Sequence, residues 1–206
     1  MLDSKGFDSW CKEYDQSVSQ SEESNSYPFA GYNAVLSRIY RTVVAKPGCT
    51  VLDIGFGTAV LTQRLYESGC IVTGIDFSQN MVNTAQQRMP RATLYCHDFT
   101  LGLPTALNGK KFDFIISTYA IHHLDDTQKL EFLELLVAHL TPKGQILIGD
   151  VAFASQAEHD RCREQYGESW DSDEYYMVAD KMKIQLPNLC FEPTSFCSGI
   201  ISLKPF

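Results

Sequence analysis

The chain's 206 residues suffice for one α/β domain with a full core and are few for two. A formal net charge of −8, a pI near 5.0 and no run of Lys or Arg longer than two argue against a nucleic-acid backbone or an anionic membrane surface as partner. Seven cysteines, an odd number without a Cys-x-x-Cys pair, read as reduced packing residues of a cytoplasmic protein. No apolar run approaches membrane-spanning length, and Met1 to Lys5 lack the basic start of a secretory leader.

In chain order, Phe7, Trp10, Cys11 and Tyr14 fall at helical spacing, and a Ser/Glu/Asn-rich stretch over 17–26 reads as a loop. Residues 32–44 predict a helix with Val35, Leu36, Ile39 and Val43 on one face, stopped by Lys46-Pro47-Gly48. From Thr50 onward strand and helix patterns alternate, the mark of parallel βαβ units. Strands are expected at 50–54, at 71–75 ending in Asp76, at 93–96 ending in His97-Asp98, and at 112–117. Between them a helix starts at Val60, and Ser78 caps another that carries Met81, Val82, Ala85 and Met89. A helix over about 127–140 should turn Leu130, Leu133, Leu136, Val137 and Leu140 inward and end at Thr141-Pro142-Lys143-Gly144. A fifth strand at 145–149 then closes on Asp150. After a charged, tyrosine-rich region at 157–186, expected to hold one or two helices, residues 191–197 and 200–203 read as an antiparallel hairpin across Ser198-Gly199.

Gly55-Phe56-Gly57 stands where the first strand hands over to a helix. Gly55 can take the positive φ of a tight turn, and Gly57, lacking a Cβ, lets a ligand lie against the backbone; a simple tight connection is the alternative. A dinucleotide fingerprint needs a third glycine where Val60 stands, so a pyrophosphate is not favoured. An acid, Asp53, two residues before Gly-x-Gly, with a small residue behind it, resembles motif I of the class I S-adenosylmethionine-dependent methyltransferases, Ala59 replacing the usual third glycine. The resemblance covers roughly residues 48–206. It implies a Rossmann-like α/β fold: a mostly parallel seven-stranded sheet, a C-terminal antiparallel hairpin and an N-terminal helical lid. The expected organisation is one domain over 1–206, with the lid at 1–46, the core at 47–206 and a helical insertion at about 155–186.

Asp53, Asp76, Asp98, Ser117 and Asp150 all fall at or just beyond the carboxyl ends of expected strands, where open α/β sheets bind ligands. Asp76 stands 21 residues after Gly55, the spacing at which a carboxylate accepts both hydroxyls of a ribose. The resemblance implies S-adenosylmethionine as cofactor, with Asp53 holding its ammonium directly or through water, Gly55 and Gly57 cradling it, and Asp98 accepting from the adenine amino group. Phe77 lies on the adenine face and Phe99 stands beside Asp98, core packing being the alternative for both rings; Phe56, Met81, Ser117 and Tyr14 complete the set.

The segment 117–124 resembles the family's loop after motif IV, which faces the methyl group, and so implies catalytic roles for Tyr119, His122 and His123. His123 is favoured to face the substrate because it and Tyr119, four apart, share a face if the turn is helical; a helix start with solvated imidazoles is the alternative. Tyr14, Tyr119, Phe153, Tyr175 and Tyr176 are the rings available to roof a closed pocket. No spaced Cys/His set completes a metal site. The chain lacks Asn/Asp-Pro-Pro-Tyr/Phe after the fourth strand, a Pro-Cys nucleophile and the Tyr-x-x-x-Lys pair of short-chain dehydrogenases. What remains is an enzyme, monomeric or homodimeric, that methylates O, N, S or C of a small molecule. A non-catalytic module holding S-adenosylmethionine or S-adenosylhomocysteine is the alternative.

Overall fold

The computed structural model describes residues 25–205, so the expected N-terminal helix and Tyr14 lie outside the described residues. Helices α1 (Tyr32–Val44), α2 (Val60–Glu67) and α3 (Gln79–Arg88) alternate with strands β1 (Thr50–Ile54), β2 (Ile71–Asp76) and β3 (Thr93–Cys96). Then come β4 (Phe112–Thr118), α4 (Asp126–Val137), β5 (Leu140–Phe153), α5 (Gln156–Tyr166), β6 (Met177–Val178), α6 (Ala179–Gln185), β7 (Cys190–Pro193) and β8 (Ser198–Leu203). The sheet runs in the order β3-β2-β1-β4-β5-β8-β7, with the short β6 beside the end of β5. β8 pairs antiparallel with β5 and β7, and the other pairings are parallel. This is the expected Rossmann-like arrangement.

Both faces of the sheet are covered, which is why its strands read as continuous apolar runs. Val51, Ile116 and Leu147 point to the layer of α1, α2 and α3, whereas Leu52, Ile115 and Ile148 point to that of α4 and α6. Period-two alternation thus fills two cores at once. Asp53 shares the Val51 face and is 1 % exposed, a carboxylate set into an apolar layer.

Three expectations need correction. The helix expected at 127–140 ends at Val137, and Leu140 already belongs to β5. Thr141 to Gly144 form an irregularity within that strand: β5 advances from Leu140 to Gln145 while its partner advances only from Phe112 to Phe114. The buried face of α4 is Lys129, Phe132, Leu133 and Leu136, with Lys129 fully enclosed and Leu130 and Val137 only partly buried. Finally, Ser198 and Gly199 lie inside β8, not in the hairpin turn. The turn is built by Ser195, whose Oγ accepts from the backbone N–H groups of Cys197 and Ser198 at 3.2 and 3.0 Å. Gly199 is small because the Phe191 ring lies over it; a Cβ there would come within 2.3 Å of that ring.

Candidate functional site

Strand order reverses between β1 and β4, and a crevice outside the carboxyl ends of the strands at such a switch point is where open α/β sheets take ligands. A cavity of about 860 Å³ opens there. Gly55, Phe56, Gly57, Asp76, Phe77, Met81, Asp98 and Phe99 line one part of it, and Tyr119, His122 and His123 another. Asp53 and Ser117 do not line it. Asp53 stands behind Thr62, which does, and Ser117 donates its hydroxyl to the Ile54 carbonyl at 2.9 Å.

The glycine turn is shaped by its neighbours. Gly55 has φ +68°, and a Cβ there would come within 2.6 Å of the Ala120 Cβ, so no larger residue fits. Gly57 has φ +52° and nothing within 4 Å of its missing Cβ, which leaves the backbone open to the cavity. Ala59, in the place of the third glycine, also adopts the left-handed region, at φ +61°. Asp76 fastens the turn: one carboxylate oxygen accepts from the Gly57 N–H at 2.8 Å and the other from the Ser78 N–H at 2.9 Å. Ser78 caps α3 as expected, accepting from the Met81 N–H at 3.2 Å. Asp98 accepts from the N–H and hydroxyl of Thr100. Phe99 is 5 % exposed and packs against Phe132 at 5.7 Å between ring centroids, so most of it belongs to the core.

Asp53 is electrostatically exceptional. Its Oδ2 accepts from the Thr62 hydroxyl at 2.7 Å, while its Oδ1 is buried without a hydrogen-bond partner. Burial raises its carboxyl from 3.8 to about 7, with the Thr62 hydrogen bond opposing and the nearby Asp76 adding.

At the other end, Tyr119 is held at φ +50° and packs against Tyr32 and Phe29 at 5.1 and 5.4 Å. Its hydroxyl donates to Ser198 Oγ at 3.4 Å, and burial keeps the phenol well above its usual range. Ile121–His123 form one 3₁₀ turn, and Asp125 then starts α4 with a capping box shared with Gln128. The helix start is therefore real, yet the His122 imidazole is buried and that of His123 half-buried. His122 is 8 % exposed and donates from Nδ1 to Asp150 Oδ1 at 2.8 Å, with Nε2 at 3.3 Å from Glu174 Oε1. Burial disfavours its charge, but the Asp150 and Glu174 carboxylates outweigh burial and hold its proton above the usual range. His123 is pushed down to about 4 by burial and by the charge of His122, so it is neutral at pH 7.

Of the rings expected to roof the pocket, Tyr119 alone among the described ones lines it. Phe153 is 1 % exposed in the core, Tyr175 is 52 % exposed, and Tyr176 donates to Glu174 Oε2 at 2.6 Å. Phe29 and Tyr32 take their place, brought in by the segment leading into α1. Sequence reasoning also missed Thr62, Lys129 and Glu174. Lys129 donates to the Leu124 carbonyl and lies 5.7 Å from the Tyr175 ring centroid, and burial pushes its ammonium down to about 8. Among the described residues no group of three His, Cys, Asp or Glu side chains is placed to hold a metal.

A family model described as a methyltransferase domain matches residues 51–144. An uncharacterised methyltransferase of Anoxybacillus flavithermus is 36% identical over 154 residues, covering 75% of this chain and 69% of the relative. Another, from Oceanobacillus iheyensis, is 32% identical over 179 residues, covering 84% and 81%. Among solved structures, the DhpI–SAM–HEP complex superimposes with a TM-score of 0.70 at 18% identity, covering 97% of this chain and 94% of that one. Magnesium protoporphyrin IX methyltransferase of Synechocystis with bound SAH gives 0.64 at 19% identity, covering 84% and 82%.

Proposed function

The chain belongs to the class I S-adenosylmethionine-dependent methyltransferases, and from that premise we propose that it delivers the methyl group to a small-molecule acceptor held at the Tyr119–His123 end of the cavity. One observation carries the reading: a single cavity joins an open glycine cradle to a half-buried, neutral imidazole. Its volume of about 860 Å³ lies toward the upper part of the roughly 300–1,000 Å³ typical of small-ligand clefts. That leaves space for a small acceptor beside the cofactor and none for a folded protein or duplex.

The residues fit the cofactor. The unpartnered Oδ1 of Asp53 needs a donor, and the ammonium of the methionine moiety supplies one, directly or through water. Asp76 accepts from the Gly57 and Ser78 N–H groups and lines the cavity beside the glycine turn, where its carboxylate would take the ribose hydroxyls. Phe77 and Met81 flank the adenine side, with Asp98 at its edge. The bound cofactor supplies a sulfonium-activated methyl group. The protein's task is then to align the acceptor, exclude water and take a proton where one is released. Phe29, Tyr32 and Tyr119 exclude water, and their faces tolerate a cation. His123 accepts the proton; His122, with both nitrogens on carboxylates, does not. Asp76, Asp98, Asp171, Asp173 and Glu174 line the cavity without a Lys or Arg among the described lining residues, which favours a neutral or cationic acceptor over an anionic one. The six described cysteines are free thiols, in keeping with work in the cytoplasm.

Incubating the protein with methyl-labelled S-adenosylmethionine and fractionated cell extract tests this. Label is expected in the small-molecule fraction. Label confined to protein or nucleic acid would overturn the acceptor class.

A further inference from the structure

We propose that Asp150 and Glu174 are positioning residues that clamp His122 as an imidazolium, and that this fixed charge keeps the adjacent His123 unprotonated. The inference rests on the reading of His123 as the acceptor-side proton acceptor, and deepens it.

The geometry dictates the protonation state. A neutral imidazole has one donor nitrogen and one acceptor, whereas ionised carboxylates only accept. His122 donates from Nδ1 to Asp150 at 2.8 Å, and its Nε2 stands 3.3 Å from Glu174 Oε1 as an ion pair; a neutral ring protonated at Nδ1 would turn a lone pair toward that carboxylate, whereas the imidazolium suits both. Each carboxylate is held in turn. Asp150 Oδ1 also accepts from the Val151 N–H at 2.8 Å, and its Oδ2 is buried without a hydrogen-bond partner, leaving a charge that the imidazolium neutralises. Glu174 Oε2 accepts from the Tyr176 hydroxyl at 2.6 Å; Tyr176 bonds the Tyr27 hydroxyl, which accepts from the Asp171 N–H at 3.0 Å. Tyr27 is stacked on Trp170 at 5.1 Å. The clamp therefore ties together the end of β5, the segment before β6 and the segment before α1.

Other charges around His122 work through the same balance. Lys129, from α4, opposes its protonation, and burial weakens the charge of that ammonium. His123 is the nearest ring, 4.5 Å away between centroids and inclined at 70°. A second proton there would face the first across that gap, and His123 is accordingly depressed by burial and by His122. Asp150, Asp171 and Asp98 favour a proton on His123, against burial and the charge of His122.

The test is nitrogen-15 NMR of the imidazoles in the full chain saturated with S-adenosylhomocysteine, for wild type, Glu174→Gln and Asp150→Asn. In wild type at pH 7.5 both His122 nitrogens should show protonated-ring shifts and His123 a single neutral tautomer. Glu174→Gln should lower the His122 midpoint by about one pH unit and raise that of His123. Asp150→Asn should lower the His122 midpoint more strongly, and if that variant does not fold, Glu174→Gln decides alone. A neutral His122 in wild type, or a His123 midpoint that stays put when His122 loses its charge, overturns the proposal. Absence of methyl transfer to any small molecule would instead sink the function reading and leave the NMR result standing.

Discussion

Replacing Asp53 by Asn separates what the β1 carboxylate costs the fold from what it gives the cofactor. The folded carboxyl titrates at about 7 against an ordinary 3.8, and the side chain is 1 % exposed, so solvent screening does not dilute the difference. At about 1.4 kcal/mol per pH unit, the gap amounts to ~4 kcal/mol. The sign follows from proton counting: between those two values the folded state binds more protons than the unfolded one. Stability tied to Asp53 is thus complete below pH 3.8 and drains away as pH rises through about 7. Asn keeps an acceptor for Thr62 and carries no charge. Urea titrations of the cofactor-free protein should therefore find Asp53→Asn more stable than wild type by up to ~4 kcal/mol at pH 8, the difference closing toward pH 4. Calorimetry should find the opposite for the ligand: loss of a charge-assisted partner of about 1.5–3 kcal/mol weakens S-adenosylmethionine roughly 10- to 100-fold. Wild type should also release protons on binding near pH 7, as the ammonium returns Asp53 to its ionised form. Equal stabilities at pH 8, or an unchanged affinity, would refute the argument.

Three further outcomes are expected. Asp76→Ala removes both the ribose acceptor and the fastening of Gly57 and Ser78, so S-adenosylhomocysteine affinity should fall more than for any other single cavity variant, and NAD should not bind the wild type; calorimetry with both ligands reads this. His123→Ala should lower methyl transfer with little change in cofactor affinity, a split visible by comparing single-turnover rates with binding constants. Lys129→Met should flatten a stability rise of ~3 kcal/mol that wild type shows between pH 8 and 10.5, because the unfolded ammonium holds its proton through that window and the buried one does not; pH-dependent urea midpoints test it.

Strands β1, β2 and β4 were legible to within a residue because most of their residues are buried on both faces, and β3, an edge strand without a buried residue, was legible from its short run ending at His97-Asp98. β5 was not, since Thr141-Pro142-Lys143-Gly144 carries turn chemistry although the chain spends it on an irregularity inside a strand. Ser198-Gly199 misled for a related reason: a glycine chosen to sit beneath the Phe191 ring looks the same in sequence as one chosen for a turn. At the site, Asp76 and Asp98 were readable because topology sends strand ends to the crevice, whereas Asp53, Ser117 and Asp150, read by the same rule, do not line it. The partners of His122 were not readable as partners. Asp150 stood out at a strand end, but Tyr27, Glu174 and Tyr176 come from segments with no shared periodicity and meet only in three dimensions. Lys129 was hidden by its own charge, although Phe132, Leu133 and Leu136 outline the buried face to which it belongs.

The carboxylate-rich cavity wall also bears on turnover. With Glu174 paired to His122 and no Lys or Arg among the described lining residues, Asp76, Asp98, Asp171 and Asp173 attract a sulfonium more strongly than the neutral thioether left behind once the methyl group departs. The pull that recruits fresh cofactor therefore slackens at the moment of transfer.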